Sequence, residues 1–584
     1  MPERCPMLVG LALGLVILTG CYHRVEVTGY VVQRADDRRP IPEPVEETEG
    51  QWAIWDGTDK MLFYRVGQFL NLGVTFRTVG TWFGLADPIE AGNVNALDEV
   101  PDSTWFTNRH FFSRLSQEEL ARGSATGQGP DPTGTWAVVG GKESLGSTPG
   151  FRIRDQRGDV YLLKFDPALH PEMTTASEVI APRFLHAAGY NVPEHYLVTL
   201  HPERLTVDPS ATIRVAYRIL RPMTEDDVRA ILERVSHRPD GTIRAVASKF
   251  LPGVPKGPFL YEGKRPDDPN DRIRHENRRE LRGLRVLAAF LNHTDTKAAN
   301  ALDMYDPETR YLTHYLIDFS STLGADNAFP QLPRYGNEYF LDFGTVGLST
   351  IALGAYVKPW EVPLRMEYPS IGYLEAVRFD PERWRPTFPN PAFLRTTVRD
   401  AYWGAKIVTS FTDDDIETIV RTGQFTDPRA ERYIAEVLQV RRDKIGRYYF
   451  NLVNPLDRFA LRDTASGEQA LVFENLALVR GYAPSENATY RYSVRRLVSP
   501  GFDPELVPES VLSGPEVPLG NDLIQMLTQR TASARAMNGQ PSIASVMIQT
   551  SYDGGEHWTK RVSVYLRLHA ESGRFSIVGI ERET

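Results

Sequence analysis

Four residues, His293, Asp295, Lys297 and Asn300, stand in the spacing H-x-D-x-K-x-x-N within LNHTDTKAANAL. Further on, Asp318 opens an apolar-flanked D-F dipeptide in YLIDFSS. This set answers the needs of phosphoryl transfer: a carboxylate to orient a hydroxyl, a cation for the moving phosphate, and two oxygen ligands for magnesium. Asp295 is the candidate catalytic carboxylate, Lys297 the compact positive charge, and Asn300 with Asp318 the metal ligands. His293 is better suited to supporting the loop. A helix end followed by a polar turn would use Asn292, Thr294 and Asp295 merely to satisfy backbone groups. The combination with a second acidic segment favours chemistry over that reading. Upstream, Lys164 ends an apolar run and Glu178 lies on the next helical stretch. The structural alternatives for these two are a solvent-facing strand lysine and a capping-box partner of Thr175.

Positioning these groups requires a particular order of elements. From Thr135 the runs TWAVVG, FRIRD and VYLLKF read as strands separated by turns, and Lys164 sits at the end of the third. Thr174 to Ala188 reads as a helix closed by Gly189, with Pro182 expected to kink or interrupt it. YLVTL and IRVAYRIL are two further strands, and Thr224 to His237 another helix. Pro252 to Arg274 is a loop rich in proline and charge. Glu276 to Leu291 carries leucines at helical spacing, and its arginines read as a solvated face. ALDMY and THYLIDF form a hairpin around Asp306-Pro307, which sets Asn300 before one strand and Asp318 after the other. At least three helices follow between 330 and 455, including Asp414–Arg421 and Pro428–Leu452. After Pro455 short β-rich runs bounded by turn residues imply a small β-sandwich or sheet domain over 456–584. Within it, Ser551 to Trp558 matches the S-x-D-x-G-x-x-W turn of sialidase-type propellers; a single copy reads as a β-turn with a packed tryptophan.

The H-x-D-x-K-x-x-N and D-F segments, with Lys164 and Glu178 in that order, resemble the protein kinase-like superfamily. The resemblance is closest to its atypical HipA-like, spore-coat CotH-like and secretory-pathway branches, and it covers roughly residues 135 to 325 by motif. It implies an α+β, two-lobed fold over 135–455, with a β-rich N-lobe and a helical C-lobe, followed by the β domain. It also implies that Lys164 grips phosphates, that Glu178 positions it, and that magnesium and a nucleoside triphosphate are bound. Two departures stand out. The phosphate-covering loop is not G-x-G-x-x-G; GKESLGSTPG, with Gly141, Gly146 and Gly150, is the nearest substitute. The D-F-G segment reads Asp318-Phe319-Ser320, without its glycine. Phosphoryl or nucleotidyl transfer to a hydroxyl of a protein, glycan or small molecule is one reading. An inactive pseudokinase-type scaffold on the envelope is the second. A structural lipoprotein with a coincidental motif is the third.

The address comes from the N-terminus. Met7 to Leu18 is an apolar run of signal-peptide length, ending in Leu18-Thr19-Gly20-Cys21, which resembles a bacterial lipobox. Residues 1–20 would leave as a signal peptide, Cys21 would carry lipid, and 21–50, rich in Pro, Asp and Glu, would tether the body to the membrane. Tyr22 follows the cysteine, where aspartate would signal inner-membrane retention, so the outer membrane is the expected extracytoplasmic address. Residues 51–134 read as an extension packed on the body, with Lys60 to Leu72 an amphipathic helix and two aromatic anchors in Asp98 to Asn108. The 584 residues hold two cysteines, and Cys5 departs with the signal, so the core alone must stabilise the fold. A net charge of −9 argues against nucleic acid as a partner.

Overall fold

A computed structural model of the chain describes residues 31–46, 56–64, 67, 88–142, 148–216, 219–342, 350–353, 355, 357–361, 365–497, 502–512, 514–529 and 542–584. The protein is mixed α+β, with a seven-stranded sheet, a helix-rich middle and a second β-rich part. The large sheet holds β1 (Trp136–Gly141), β2 (Gly150–Arg154), β3 (Val160–Phe165), β4 (His195–Leu200), β5 (Leu205–Ala216), β6 (Ile219–Pro222) and β7 (Ile243–Lys249), in the order β4-β7-β3-β2-β1-β5-β6. Three small strands, β8 (Val254–Pro255), β9 (Ala301–Tyr305) and β10 (Leu312–Leu316), form a second sheet, and β11 (Ala325–Asp326) pairs with β12 (Phe329–Pro330). The helices are α1 (Gln117–Arg122), α2 (Met173–Ala188), α3 (Glu225–Leu232), α4 (Arg279–Leu291), α5 (Pro391–Leu394), α6 (Val398–Ser410), α7 (Asp413–Arg421) and α8 (Pro428–Phe450). None of the described helices is long and apolar enough to cross a membrane.

The strand–strand–strand–helix–strand order expected from Thr135 to Leu200 is present. Helix α2 runs through Pro182 as one element, so the proline does not interrupt it. It is buried along nearly its whole length, and that packing outweighs the one backbone hydrogen bond that proline removes. Helix α3 is shorter than expected, and IRVAYRIL divides between β5 and β6. Strand β7 was not expected at all. Its run IRAVASK is short and lacks an alternating pattern, yet it pairs with β3 on one side and β4 on the other.

The arginines of α4 and its approach are not a solvated face. Arg278, Arg279 and Arg282 are 5%, 1% and 0% exposed. Arg279 Nε donates to Asp400 Oδ1 and Arg282 Nη1 to Asp400 Oδ2, each at 3.0 Å. Arg279 Nη1 also donates to Asp98 Oδ1 at 2.6 Å. Buried guanidinium groups need such partners, and these lie 118 to 181 residues away in sequence, so helical periodicity cannot reveal them.

The expected tether is also partly docked. Ile41 is 2% exposed. Its amide donates to the Arg310 carbonyl at 2.7 Å. Asp37 Oδ2 accepts from the Thr104 amide at 2.8 Å, and Lys256 Nζ donates to Glu43 Oε1 at 2.6 Å. Two acidic residues of this segment, Asp37 and Glu43, thus pair with the body. Most of the expected helix over Lys60–Leu72 lies outside the described residues.

Beyond Pro455 the chain builds two sheets: β13 (Leu456–Asp463), β14 (Gln469–Asn475) and β17 (Glu516–Leu519) in one, and β16 (Phe502–Leu512), β15 (Thr489–Leu497), β18 (Ser542–Ser551), β19 (Val562–His569) and β20 (Arg574–Arg582) in the other. Residues from both, including Leu471, Val517, Val494, Val546 and Val564, share one core. Two short helices, α9 (Leu476–Val479) and α10 (Asn521–Thr528), supplement the strands. Ser551 and Asp553 serve the β18–β19 turn, accepting from the Gly555 and His557 amides at 2.8 and 2.9 Å. Trp558 lies under the Arg491 guanidinium at 4.4 Å. This unit is joined to the helices by buried ions: Asp457 Oδ2 accepts from Tyr402 Oη at 3.0 Å, Lys406 Nζ at 3.1 Å and Arg582 Nη2 at 2.9 Å.

Candidate functional site

The HTDTKAAN loop begins where α4 stops. Asn292 caps that helix in the left-handed conformation (φ 49°, ψ 42°), which asparagine tolerates better than most residues. Its side-chain amide donates to Gln331 Oε1 at 2.6 Å, and its Oδ1 accepts from Trp384 Nε1 at 2.9 Å. The loop therefore leaves the helix in a fixed direction. Downstream, Ala301 pairs with Leu316 in the β9–β10 hairpin, and the Ile317 amide donates to the Asn300 carbonyl at 3.0 Å. Asn300 and Asp318 are thereby held at the same end of the hairpin, as its sequence implies.

Asp318 has φ 60°. A left-handed aspartate is uncommon and costs some backbone energy, so its surroundings must hold it there. Phe319 does part of this, being fully buried with its ring 5.7 Å from His195 and 6.0 Å from His293. The turn aims the Asp318 carboxylate at β3, where Lys164 Nζ donates to Asp318 Oδ1 at 2.9 Å and to Glu178 Oε1 at 2.5 Å. Lys164 and Glu178 are 4% and 0% exposed, which rules out the solvent-facing lysine. Glu178 is not a capping residue either. The start of α2 is capped by Asp166, whose two oxygens accept from the Thr175 amide at 2.8 Å and the Thr175 hydroxyl at 2.7 Å.

Across from this centre, Asp295 Oδ2 accepts from Lys297 Nζ and from Asn300 Nδ2, each at 3.0 Å. Asn300 Nδ2 also donates to the Asp295 carbonyl at 2.7 Å. Two acceptors on one side fix the orientation of that amide, so Asn300 Oδ1 faces away from Asp295. Asp318 Oδ1 is taken by Lys164 and by the Ser320 hydroxyl at 2.6 Å. Among the described residues no hydrogen-bond donor falls on its Oδ2. Two hard oxygens, Asn300 Oδ1 and Asp318 Oδ2, are thus left for a cation such as magnesium.

The charges tune one another. Burial alone would raise the Asp318 carboxyl, but Lys164, Lys142 and the Ser320 hydroxyl together hold it well below the usual carboxylate range. Burial would lower the Lys164 ammonium, and Asp318 with Glu178 reverses this and raises it above its ordinary value. Lys297 is raised by Asp295 against the same desolvation. His293 is buried and pushed down by desolvation, which keeps its imidazole neutral and fits a supporting role.

Several residues of the site were not singled out from the sequence. Asn327 Oδ1 accepts from Ser320 Oγ at 2.9 Å and from Thr148 Oγ1 at 3.3 Å, tying the strand-connecting loop to the Asp318 turn. Burial and the Asp326 carboxylate push the Tyr335 phenol up to about 12. Lys142, just past β1, is lowered by burial and by Lys164. For Lys142, Thr148 and Asn327 the sequence signal was the turn composition of GKESLGSTPG and of ADNAFP. Of the expected phosphate cover, Gly146 lies outside the described residues. Gly150 is paired with Lys164, and a Cβ there would press into the Leu163 carbonyl oxygen, so a close strand approach already requires this glycine. Cys21 also lies outside the described residues.

The chain matches no family model, no curated protein and no solved structure. Function therefore rests on this geometry alone. A second acidic group, Asp553, Glu556 and His557, lies on the exposed β18–β19 turn. There Asp553 is already engaged by His557 Nδ1 at 2.6 Å.

Proposed function

We propose that the chain is a magnesium-dependent phosphotransferase of the kinase-like type, lipid-anchored outside the cytoplasm, which moves a phosphoryl group from a nucleoside triphosphate to a hydroxyl. The observation that carries this is the buried contact of Lys164 with both Glu178 and Asp318, close to the Asp295–Lys297–Asn300 cluster. In this reading Lys164, rigidly held by Glu178, binds donor phosphate oxygens. Asp295 accepts the proton of the acceptor hydroxyl as its oxygen bonds to phosphorus, and the donor leaves as the diphosphate. Lys297 neutralises charge on the transferring group. Asn300 Oδ1 and Asp318 Oδ2 would hold magnesium, which when bound supplies charge neutralisation on the donor phosphates. The order of strands, α2 and the β9–β10 hairpin supports a two-lobed kinase-like body. The lipobox at Leu18–Cys21 supports the membrane address.

The chain from residue 22, which keeps every described residue, tests this. Magnesium with a nucleoside triphosphate is expected to raise its melting temperature, and Asp318→Ala to abolish the rise. Diphosphate release is expected to disappear in Asp295→Asn. A wild-type chain that responds to no nucleotide refutes the proposal. One observation favours the envelope scaffold instead: Asp295 Oδ2 is already held by Lys297 and Asn300. In that case Asp295→Ala leaves partner capture intact while removal of residues 456–584 abolishes it.

A further inference from the structure

The β1–β2 register runs Gly140↔Arg152 and Gly141↔Phe151. Continued one residue past the end of β1, this register would set Lys142 level with Gly150, which is itself paired with Lys164. A single cross-strand row would then read Lys142, Gly150, Lys164. Residues facing each other across antiparallel strands project to the same face. The middle member is a glycine because a Cβ there would press into the Leu163 carbonyl oxygen, and Lys164 at the far end of the row donates to Asp318. The charged groups that act on the Lys142 ammonium are Lys164, Asp318, Glu178 and Lys297, which locates it at the site described above.

The nearby carboxylates act on this lysine only at a distance, because their hydrogen bonds go to other donors. Glu178 Oε1 is bound to Lys164, Asp295 Oδ2 to Lys297, and Asp318 Oδ1 to Lys164 and Ser320. Among the described residues Lys142 has no hydrogen bond or ion pair of its own. A partly buried ammonium near two others carries a desolvation and repulsion cost that a bound anion would offset. We propose that Lys142 is a third phosphate-binding cation, which with Lys164 and Lys297 forms a clamp for a polyphosphate chain lying over Gly150. This rests on the phosphotransferase reading and adds the residue that takes the place of a glycine-rich cover. It also assigns the site to a chain of phosphates rather than to a single one. Three separated ammonium groups match several linked anionic units, whereas one phosphate meets only part of the clamp.

Inorganic tripolyphosphate is the probe, titrated calorimetrically into the chain from residue 22 with magnesium present, beside orthophosphate. The wild type is expected to bind tripolyphosphate at least about tenfold more tightly than orthophosphate. Lys142→Met is expected to lose about tenfold in tripolyphosphate affinity, and Lys142→Arg to stay within about threefold of wild type. The urea midpoint of Lys142→Met should be no lower than that of the wild type, because the change removes a desolvated charge and no hydrogen bond. If Lys142→Met binds tripolyphosphate as the wild type does while a magnesium–nucleotide complex still stabilises both, the clamp is refuted and the phosphotransferase reading stands. Equal wild-type affinity for orthophosphate and tripolyphosphate also refutes the clamp. If the wild type binds neither tripolyphosphate nor any nucleotide, both fall.

Discussion

Replacing Lys164 with methionine should be far more costly than removing a surface lysine, and the structure says by how much. The Lys164 and Glu178 side chains are 5% and 1% exposed. Glu178 Oε2 is already buried without a hydrogen-bond partner, with His195 Nε2 no closer than 3.5 Å. Lys164→Met removes the one donor on Oε1 and leaves an uncompensated buried carboxylate. Breaking a buried pair in this way costs about 3–5 kcal/mol, which lowers the folded-to-unfolded ratio by a factor of hundreds to thousands. Asp318 loses a partner too, but its side chain is 28% exposed and water compensates much of that loss. The double variant Lys164→Met/Glu178→Leu removes both charges while keeping volume, and should recover most of the stability. The assay is urea denaturation of the transition that includes β3 and α2, comparing midpoints at constant slope for the two single variants and the double variant. If Lys164→Met lies within about 1 kcal/mol of wild type, or the double variant is no more stable than Lys164→Met, the buried-pair argument is wrong. The pH dependence has two arms. The raised Lys164 contributes stability that is present below its ordinary value of 10.5 and is lost as pH rises through the folded value. The lowered Asp318 contributes stability that is present above 3.8 and is lost as pH falls through its folded value.

Asp400→Asn should destabilise the protein by about 3–5 kcal/mol, since Arg279 and Arg282 would remain buried without their shared carboxylate; chemical denaturation measures it. Gly150→Ala should cost about 1–3 kcal/mol by forcing β2 away from the Leu163 carbonyl, and amide hydrogen exchange should report loosening confined to β2 and β3. His186 is pushed down to about 3 by burial, with Arg109, Arg122 and Arg183 adding to the effect. The unfolded chain therefore takes the proton first, and stability present above pH 6.5 is lost as pH falls toward 3. Between pH 6.5 and 4.5 the His186→Gln variant should lose less stability than wild type in a thermal melt series.

Much of the candidate site was legible because its parts are local. Asn300 and Asp318 bracket a hairpin whose strands alternate and whose turn is Asp-Pro, so their convergence follows from the hairpin alone. Lys164 and Glu178 sit at the end of a strand and the start of the next helix, a separation that one turn of chain can close. Strand β7 was missed because a short, doubly paired strand carries no alternation. The arginines of α4 were misread because helical spacing shows a polar stripe and cannot show that Asp98 and Asp400 cover it.

By itself the sequence determined the residue types of the centre, the order of strands and helices that carry them, and a separate β-rich part after Pro455. Tertiary structure decided which charges meet. It set Lys142 just past β1, where the charges of Lys164 and Asp318 act on it, brought Asn327 and Thr148 to the Asp318 turn, and covered the buried arginines with distant aspartates. The physical reason is the range of the interactions. Local hydrogen bonding and hydrophobic period act over a few residues and are written in the chain, whereas the partner of a buried charge is chosen by packing across a hundred residues or more.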